Sequence, residues 1–169
     1  MKKEKLTAAT WCCILSTLLI GCLWHFIYEW SGRSSLIGLA APVNESVWEH
    51  TKLLVFPMLL TVTAEHFFLR KKYHSLITAG IFALIPGIVV MPLLFYAYYF
   101  FTKRSYLWAD IAIFLVSVLT AFATQYLLVR HHTFTVKEAR ISRTLLFLII
   151  IIYILLTLYP PSLGLFTPL

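Results

Sequence analysis

The sequence predicts an all-α fold, a polytopic transmembrane bundle of about five helices. Of its 169 residues, 60% are hydrophobic and only 12% are charged, whereas about 25% of the residues in a soluble domain are charged. Long apolar segments alternate with short polar runs, and each segment can form a helix that crosses a bilayer core. The length suits a single domain, residues 1–169. The predicted helices span about residues 6–30, 45–69, 74–101, 106–129 and 144–158.

The first helix follows a basic start, Met1 to Lys5, which is also typical of a signal peptide. Its apolar run of about 20 residues is longer than the 7–15 residues of a signal core, so we favour a membrane span. After a turn at residues 31–35, Leu36 to Ala41 is too short to span and is expected to be re-entrant or interfacial.

Capping and proline signals set the other predicted boundaries. Asn44 is the predicted N-cap of the second helix, in which Pro57 should produce a kink. Pro86-Gly87 and Pro92 predict a bent or interrupted third helix. The fifth helix is expected to end before Pro160-Pro161.

The basic residues predict an N-in, C-out orientation in the plasma or inner membrane, because basic loops stay on the cytoplasmic side. With a net charge of +7, the basic excess is assigned to these loops and to the lipid bilayer rather than to nucleic acid. Three basic residues fall outside, namely Arg33, Lys103 and Arg104, and ten fall inside, namely Lys2, Lys3, Lys5, Arg70, Lys71, Lys72, Arg130, Lys137, Arg140 and Arg143. An outer aromatic belt is predicted to include Trp24, Trp30, Trp48 and Trp108.

With this topology, ionisable residues from three helices gather near the outer face, where buried charge is costly and usually functional. The candidate ligand-binding residues are Asn44, Glu45, Trp48, Glu49, His50 and Asp110, and the candidate metal ligands are His25, Glu29, Glu49 and His50. Nitrogen and oxygen ligands suit zinc, manganese or iron better than magnesium or calcium. The spacing matches no standard zinc signature.

Each part of this cluster has a second interpretation. Glu49 and Lys52 could form an ion pair while Glu45 stays a solvated acid at the helix start, or Glu45 and Glu49 could hold a cation together. His25 and Glu29, four residues apart, could clamp a metal or simply share a hydrogen bond. No nucleophile motif is present and no catalytic residue is assigned.

Glu65 and His66 lie near the opposite end of the second helix, about 22 Å from His50 at 1.5 Å per residue. They are therefore too distant for the outer site. We expect them to pair locally with Arg70 or Lys71.

The run Pro-Val-Asn-Glu-Ser-Val-Trp-Glu-His at Pro42–His50, followed by Thr51-Lys52-Leu53, resembles the hallmark of a family of small, uncharacterised bacterial integral membrane proteins. This resemblance implies a five- or six-helix membrane protein with no assigned activity. It supplies no catalytic residues.

Three functional classes stay open at this point. The protein could bind or transport a small solute or ion through the outer polar site. It could be a metal-dependent membrane enzyme using the same residues. It could also be an accessory subunit of a membrane complex with an unidentified protein partner.

Overall fold

The computed structural model describes residues 2–168, with side chains from Glu4 onward. The ends of the predicted domain, Met1 and Leu169, and the side chains of Lys2 and Lys3 lie outside this range. Across the described residues the structure is all-α. The helices are α1 Lys2–Trp30, α2 Ser35–Gly38, α3 Val47–His50, α4 Lys52–Leu69, α5 Leu76–Thr102, α6 Leu107–His131 and α7 Val136–Leu158.

Five helical segments are long and apolar enough to cross a membrane, as the sequence predicts. They are Glu4–Trp30, Val47–Leu69, Leu76–Thr102, Leu107–His131 and Val136–Leu158, the second of which joins α3 and α4. Large apolar side chains cover their outer surfaces, including Leu19 and Leu23 on α1 and Phe100 and Phe101 on α5. A surface of this kind is suited to lipid rather than to water.

Two predicted helix starts are wrong, and local capping explains both. The fifth span begins at Val136 rather than Thr144, because Thr135 and Glu138 form a capping box. Within it, the Glu138 amide donates to Thr135 Oγ1 at 3.2 Å and the Thr135 amide donates to Glu138 Oε2 at 2.7 Å. In the second span the N-cap is Ser46 rather than Asn44, since Ser46 Oγ accepts from the Glu49 amide at 3.3 Å.

Of the bend or interruption predicted for α5, the interruption is absent, because this helix continues from Leu76 to Thr102 through Pro86 and Pro92. Proline removes one helical hydrogen bond, but a membrane helix can tolerate that loss without ending. Gly87 lies beside Pro86 and lets three helices approach. A Cβ there would lie 2.7 Å from Leu54 Cδ2 on α4 and 3.0 Å from Ala121 Cβ on α6.

The core forms around α4, which packs against α1, α5 and α6. The most peripheral span, α7, packs against α5. The segment that follows α7 folds back over α3, where the Trp48 amide donates to the Leu165 carbonyl oxygen at 3.0 Å. The Trp48 ring stacks on Tyr153 with centroids 4.8 Å apart. This packing closes one end of the bundle around α3.

Gly87→Ala should destabilise the protein by about 1–3 kcal/mol, because the added methyl group must displace Leu54 or Ala121 in a packed core. Thermal unfolding in detergent measures the loss. Gly164→Ala is the matched control, since a Cβ there meets nothing closer than Tyr96 Oη at 3.9 Å. Equal melting temperatures for the two variants would contradict close packing at Gly87.

Candidate functional site

The site depends on a buried ion pair at the junction of α3 and α4. Lys52 Nζ lies 2.6 Å from Glu49 Oε2, and the exposed fractions of the two side chains are 0% and 3%. Of the two interpretations open for Glu49, the structure therefore shows the ion pair with Lys52. A buried ion pair is tolerated only when the remaining hydrogen-bonding capacity of both groups is also satisfied.

Both charged groups meet that condition by binding the linker between α1 and α3. Lys52 Nζ also donates to the carbonyl oxygens of Gly38 at 2.9 Å and Ala41 at 3.3 Å. Glu49 Oε2 accepts a second hydrogen bond from the Val43 amide at 2.9 Å. Its other oxygen accepts from Thr157 Oγ1 on α7 at 3.3 Å. The expected interfacial segment 36–41 is thus anchored to the core by side chains of α3 and α4.

The linker is fixed at two further points. Trp24 Nε1 on α1 donates to the Ala40 carbonyl oxygen at 2.9 Å. Asn44 Oδ1 accepts from the Ser46 amide at 2.9 Å, which forms a tight turn just before α3. These contacts hold the residue between Asn44 and Ser46, which is Glu45, against the ends of α1 and α3.

Glu45 lies between two histidines. Its Oε2 is 3.3 Å from His50 Nε2 and 3.5 Å from His25 Nε2. One ligand atom from each of the three residues lies within 4.8 Å of the others. In a tetrahedral site with bonds of about 2.0–2.2 Å, neighbouring ligand atoms are roughly 3.4 Å apart. The two measured Glu45–histidine separations already match that spacing.

The orientation of His50 gives this arrangement its chemistry. Its Nδ1 lies 2.9 Å from the Ser46 carbonyl oxygen. Because a carbonyl oxygen only accepts, Nδ1 must carry a hydrogen. In the neutral ring Nε2 then presents a lone pair to the Glu45 carboxylate, and two lone pairs repel. A proton or a metal ion between Nε2 and Oε2 removes this repulsion.

The Glu45 carboxylate can supply the negative charge beside the two histidines. When His50 is protonated, its hydrogen bond to Glu45 lowers the pKa of the carboxyl group. Burial partly opposes this effect, and the charges of protonated His50 and His25 lower the pKa further. The side chain remains 64% exposed. The carboxylate is therefore ionised near neutral pH and can reach a ligand from outside.

A cavity of about 350 Å³ opens beside the three residues. Small-molecule sites commonly have volumes of about 300–1,000 Å³. Apolar side chains from four helices form most of its wall, and Asp110 and Ser105 add polar groups. The lining residues are His25, Glu45, Val47, His50, Leu53, Met91, Phe95, Ser105, Leu107, Asp110, Ile113 and Phe114.

Asp110 faces the cavity at the start of α6 as a fixed carboxylate. Its Oδ1 accepts from the Tyr98 hydroxyl at 2.6 Å and its Oδ2 accepts from the Ser105 hydroxyl at 2.7 Å. The expectation that Asp110 joins the outer polar groups is consistent with this shared cavity. Two neutral donors therefore hold both of its oxygens at the cavity wall.

Nearly the whole chain matches one known protein family. A model of the "Family of unknown function (DUF6512)" matches residues 1–168. The chain belongs to this family. No curated protein and no solved structure matches it. The family assignment agrees with the predicted membership of an uncharacterised family, and it supplies no activity.

Several candidate residues stay outside the cluster. Glu29 does not share a centre with His25, because it turns outward to Arg33, whose Nη2 lies 3.1 Å from Glu29 Oε1. Glu49 is committed to Lys52 and the linker. Asn44 shapes the turn, and Trp48 packs against Tyr153 and Phe166 rather than lining the cavity.

The structure also corrects two interpretations made from the sequence. Glu45 is not simply a solvated acid at a helix start, since it contacts His25 and His50. Glu65 does not pair with Arg70 or Lys71, because it meets Gln125 across the bundle. No spacing rule links Glu65 to Gln125, which lies in another helix, but each is a lone polar residue in an apolar segment.

Glu49→Gln should destabilise the protein by about 3–5 kcal/mol, because it leaves the Lys52 ammonium buried without its counter-ion. Lys52→Met should be similarly damaging, since it leaves the Glu49 carboxylate unpaired. The double variant should be more stable than the sum of the two losses predicts, by roughly 1–3 kcal/mol. Unfolding free energies of the four proteins measure this coupling. Strictly additive losses would show that the ion pair is not the stabilising contact.

Proposed function

We propose that this membrane protein binds a divalent transition-metal ion through His25, Glu45 and His50. One observation supports this proposal above all: His50 Nε2 lies 3.3 Å from Glu45 Oε2, while His50 Nδ1 donates to the Ser46 carbonyl oxygen. Metal-bound histidines commonly donate their other ring N–H to a carbonyl or carboxylate in this way. A donor set of two imidazoles and one carboxylate is typical of catalytic zinc sites and, as a facial triad with open positions, of non-haem iron(II) sites.

The adjacent cavity supports binding of a small solute together with the ion. Three protein ligands leave at least one coordination position of a tetrahedral ion open. The same three residues line the cavity of about 350 Å³, with the Asp110 carboxylate in its wall, so a solute in the cavity would lie close to a bound ion. A small polar molecule that reaches the ion would meet apolar walls from α4, α5 and α6.

Glu45→Gln tests the metal site, because it keeps the shape of the side chain and removes the anionic ligand. Purified protein should bind about one equivalent of Zn²⁺ by isothermal titration. The variant should bind it at least about 100-fold more weakly, since loss of groups that only orient metal ligands costs about 10–100-fold. Chelator treatment followed by elemental analysis gives a second measure of retained metal.

Glu29→Gln is the matched control. Glu29 is an exposed carboxylate on the same end of the bundle, paired with Arg33 rather than with the histidines. Its substitution should leave Zn²⁺ affinity unchanged. Equal weakening in both variants would show general attraction of cations to acidic residues. No Zn²⁺ binding by the unmodified protein would refute the site.

A metal-dependent enzyme is the second candidate function. Catalytic zinc sites commonly combine three protein ligands with an open position, whereas structural sites are closed by four. The cluster offers three ligands beside a cavity, which favours the catalytic pattern. There the ion would lower the pKa of a bound water or polarise a substrate oxygen. Turnover that needs Zn²⁺ and is lost in Glu45→Gln would distinguish an enzyme from a binding protein.

We further propose that the cluster faces the outside of the plasma or inner membrane of a bacterium. The asymmetry of basic residues between the loops supports an N-in, C-out orientation. Exposed Trp30 and Trp108 lie at the same end of the bundle as the cluster, as expected for interfacial aromatic residues.

Reporter fusions test this orientation. A C-terminal reporter should lie outside, and reporters at the N-terminus and after Lys72 should lie inside. The two ends of an odd number of spans must lie on opposite sides. A C-terminal reporter on the same side as the one after Lys72 would contradict both the orientation and the count of five spans.

A further inference from the structure

A second buried polar pair lies in the other half of the bundle, between α4 and α6. Glu65 on α4 is 4% exposed and Gln125 on α6 is 2% exposed. Gln125 Nε2 donates to Glu65 Oε2 at 2.8 Å. This pair lies about 22 Å along the helix axis from His50, at 1.5 Å per residue. It belongs to neither the metal cluster nor its cavity.

Each member of the pair has one oxygen without a partner. Glu65 Oε1 and Gln125 Oε1 are both buried and accept no hydrogen bond. Buried polar atoms are rarely left in this state, so each such atom requires an explanation. A carboxyl group and a primary amide are both planar, and each carries two hydrogen-bonding atoms on one carbon. Side by side they can form two parallel hydrogen bonds, of which only one is supplied by Gln125.

A proton on Glu65 Oε1 supplies the other hydrogen bond. The protonated oxygen becomes a donor, and the acceptor that it needs is the free Oε1 of the same Gln125 amide that already donates to Glu65 Oε2. One hydrogen thus satisfies both unpartnered oxygens. An ionised Glu65 is acceptor-only and leaves both of them unsatisfied.

Among the described residues, no cationic side chain forms an ion pair or a hydrogen bond with Glu65. On α1, Cys13 is buried and bonds the Thr61 carbonyl oxygen one turn before Glu65, while Glu4 and Lys5 are exposed. From Leu76 to Leu84, α5 carries no titratable side chain. On α6, Arg130 donates to Tyr126 at an exposed position. His66, the next residue on α4, makes no ion pair among the described residues.

Glu49 provides the internal comparison. It is as deeply buried as Glu65, with 3% exposed, but it has an ammonium group at 2.6 Å and a backbone N–H at 2.9 Å. Both Glu49 oxygens accept from donors suited to a carboxylate, and Lys52 donates to Glu49 and to two carbonyl oxygens. Glu65 has one neutral donor, and the same amide carries an acceptor oxygen without a partner, which suits a carboxylic acid. The same chain therefore buries one carboxylate and one carboxylic acid.

We infer that Glu65 is an intramembrane proton-binding site, which at neutral pH holds a proton on Oε1 and shares it with Gln125. Its ligand is a proton, and the site is independent of the metal cluster. Release of the proton would leave a buried anion between α4 and α6, so release requires water or a cation to reach the pair. Buried carboxyl groups with this property serve as proton relays in pumps and transporters.

Infrared difference spectroscopy of the full-length protein tests this directly. The protein has only seven acidic residues, so the loss of a single carboxyl group is detectable. Spectra at pH 7 are recorded in a detergent without ester groups, for the unmodified protein, Glu65→Gln and Glu29→Gln. Glu65→Gln should lose the carbonyl band of one protonated carboxylic acid. Glu29→Gln should lose only carboxylate bands.

A second variant keeps the inference testable if Glu65→Gln does not fold. Gln125→Met removes the hydrogen-bonding partner and leaves Glu65 in place, so the carbonyl band should move to higher frequency as the acid loses its bonds. The inference is overturned if the unmodified protein shows no protonated carboxyl band at pH 7. It is equally overturned if Glu65→Gln loses only carboxylate bands, or if Gln125→Met leaves the carbonyl region unchanged.

Discussion

The buried ion pair between Glu49 and Lys52 is the interaction on which the outer end of this bundle depends. Two charges in an apolar interior are costly unless every hydrogen bond is made, and here the linker before α3 makes most of them. Satisfying Lys52 therefore fixes the backbone from Gly38 to Val43. That fixed backbone leads into the turn at Asn44, which places Glu45 between His25 and His50.

Because burying a charge is costly, the acidic residues Glu49, Glu65 and Glu45 are each stabilised in a different way. Glu49 has a cationic partner and remains an ion. Glu65 has an amide as its partner, and its hydrogen-bonding pattern requires a proton. Glu45 reaches solvent and faces two histidines, so its contacts are relieved by protons or by a metal ion. The helix formed by residues 52–69 connects the ion pair to the proton-binding pair.

The sequence predicts the five spans well because length and apolar composition determine them. The predicted topology also places His25, Glu45, His50 and Asp110 at one end of the bundle, because successive spans cross the membrane in opposite directions. It does not predict that Glu29 turns to Arg33, because helical spacing permits two partners and the turn geometry decides between them. The Glu65–Gln125 contact depends on how two distant helices rotate against each other. Such rotation leaves no local signal in the sequence.

Anomalous X-ray diffraction from crystals grown with Zn²⁺ would show whether His25, Glu45 and His50 form a metal site, because it locates the ion without assumptions about its ligands. We expect one strong zinc peak within about 2.0–2.2 Å of a ligand atom from each of His25, Glu45 and His50. In the same crystals Lys52 should still contact Glu49 and the Gly38 carbonyl oxygen. A peak at Glu49 or Glu29 instead, or fully formed Glu49–Lys52 contacts with no zinc between the histidines, would contradict this expectation.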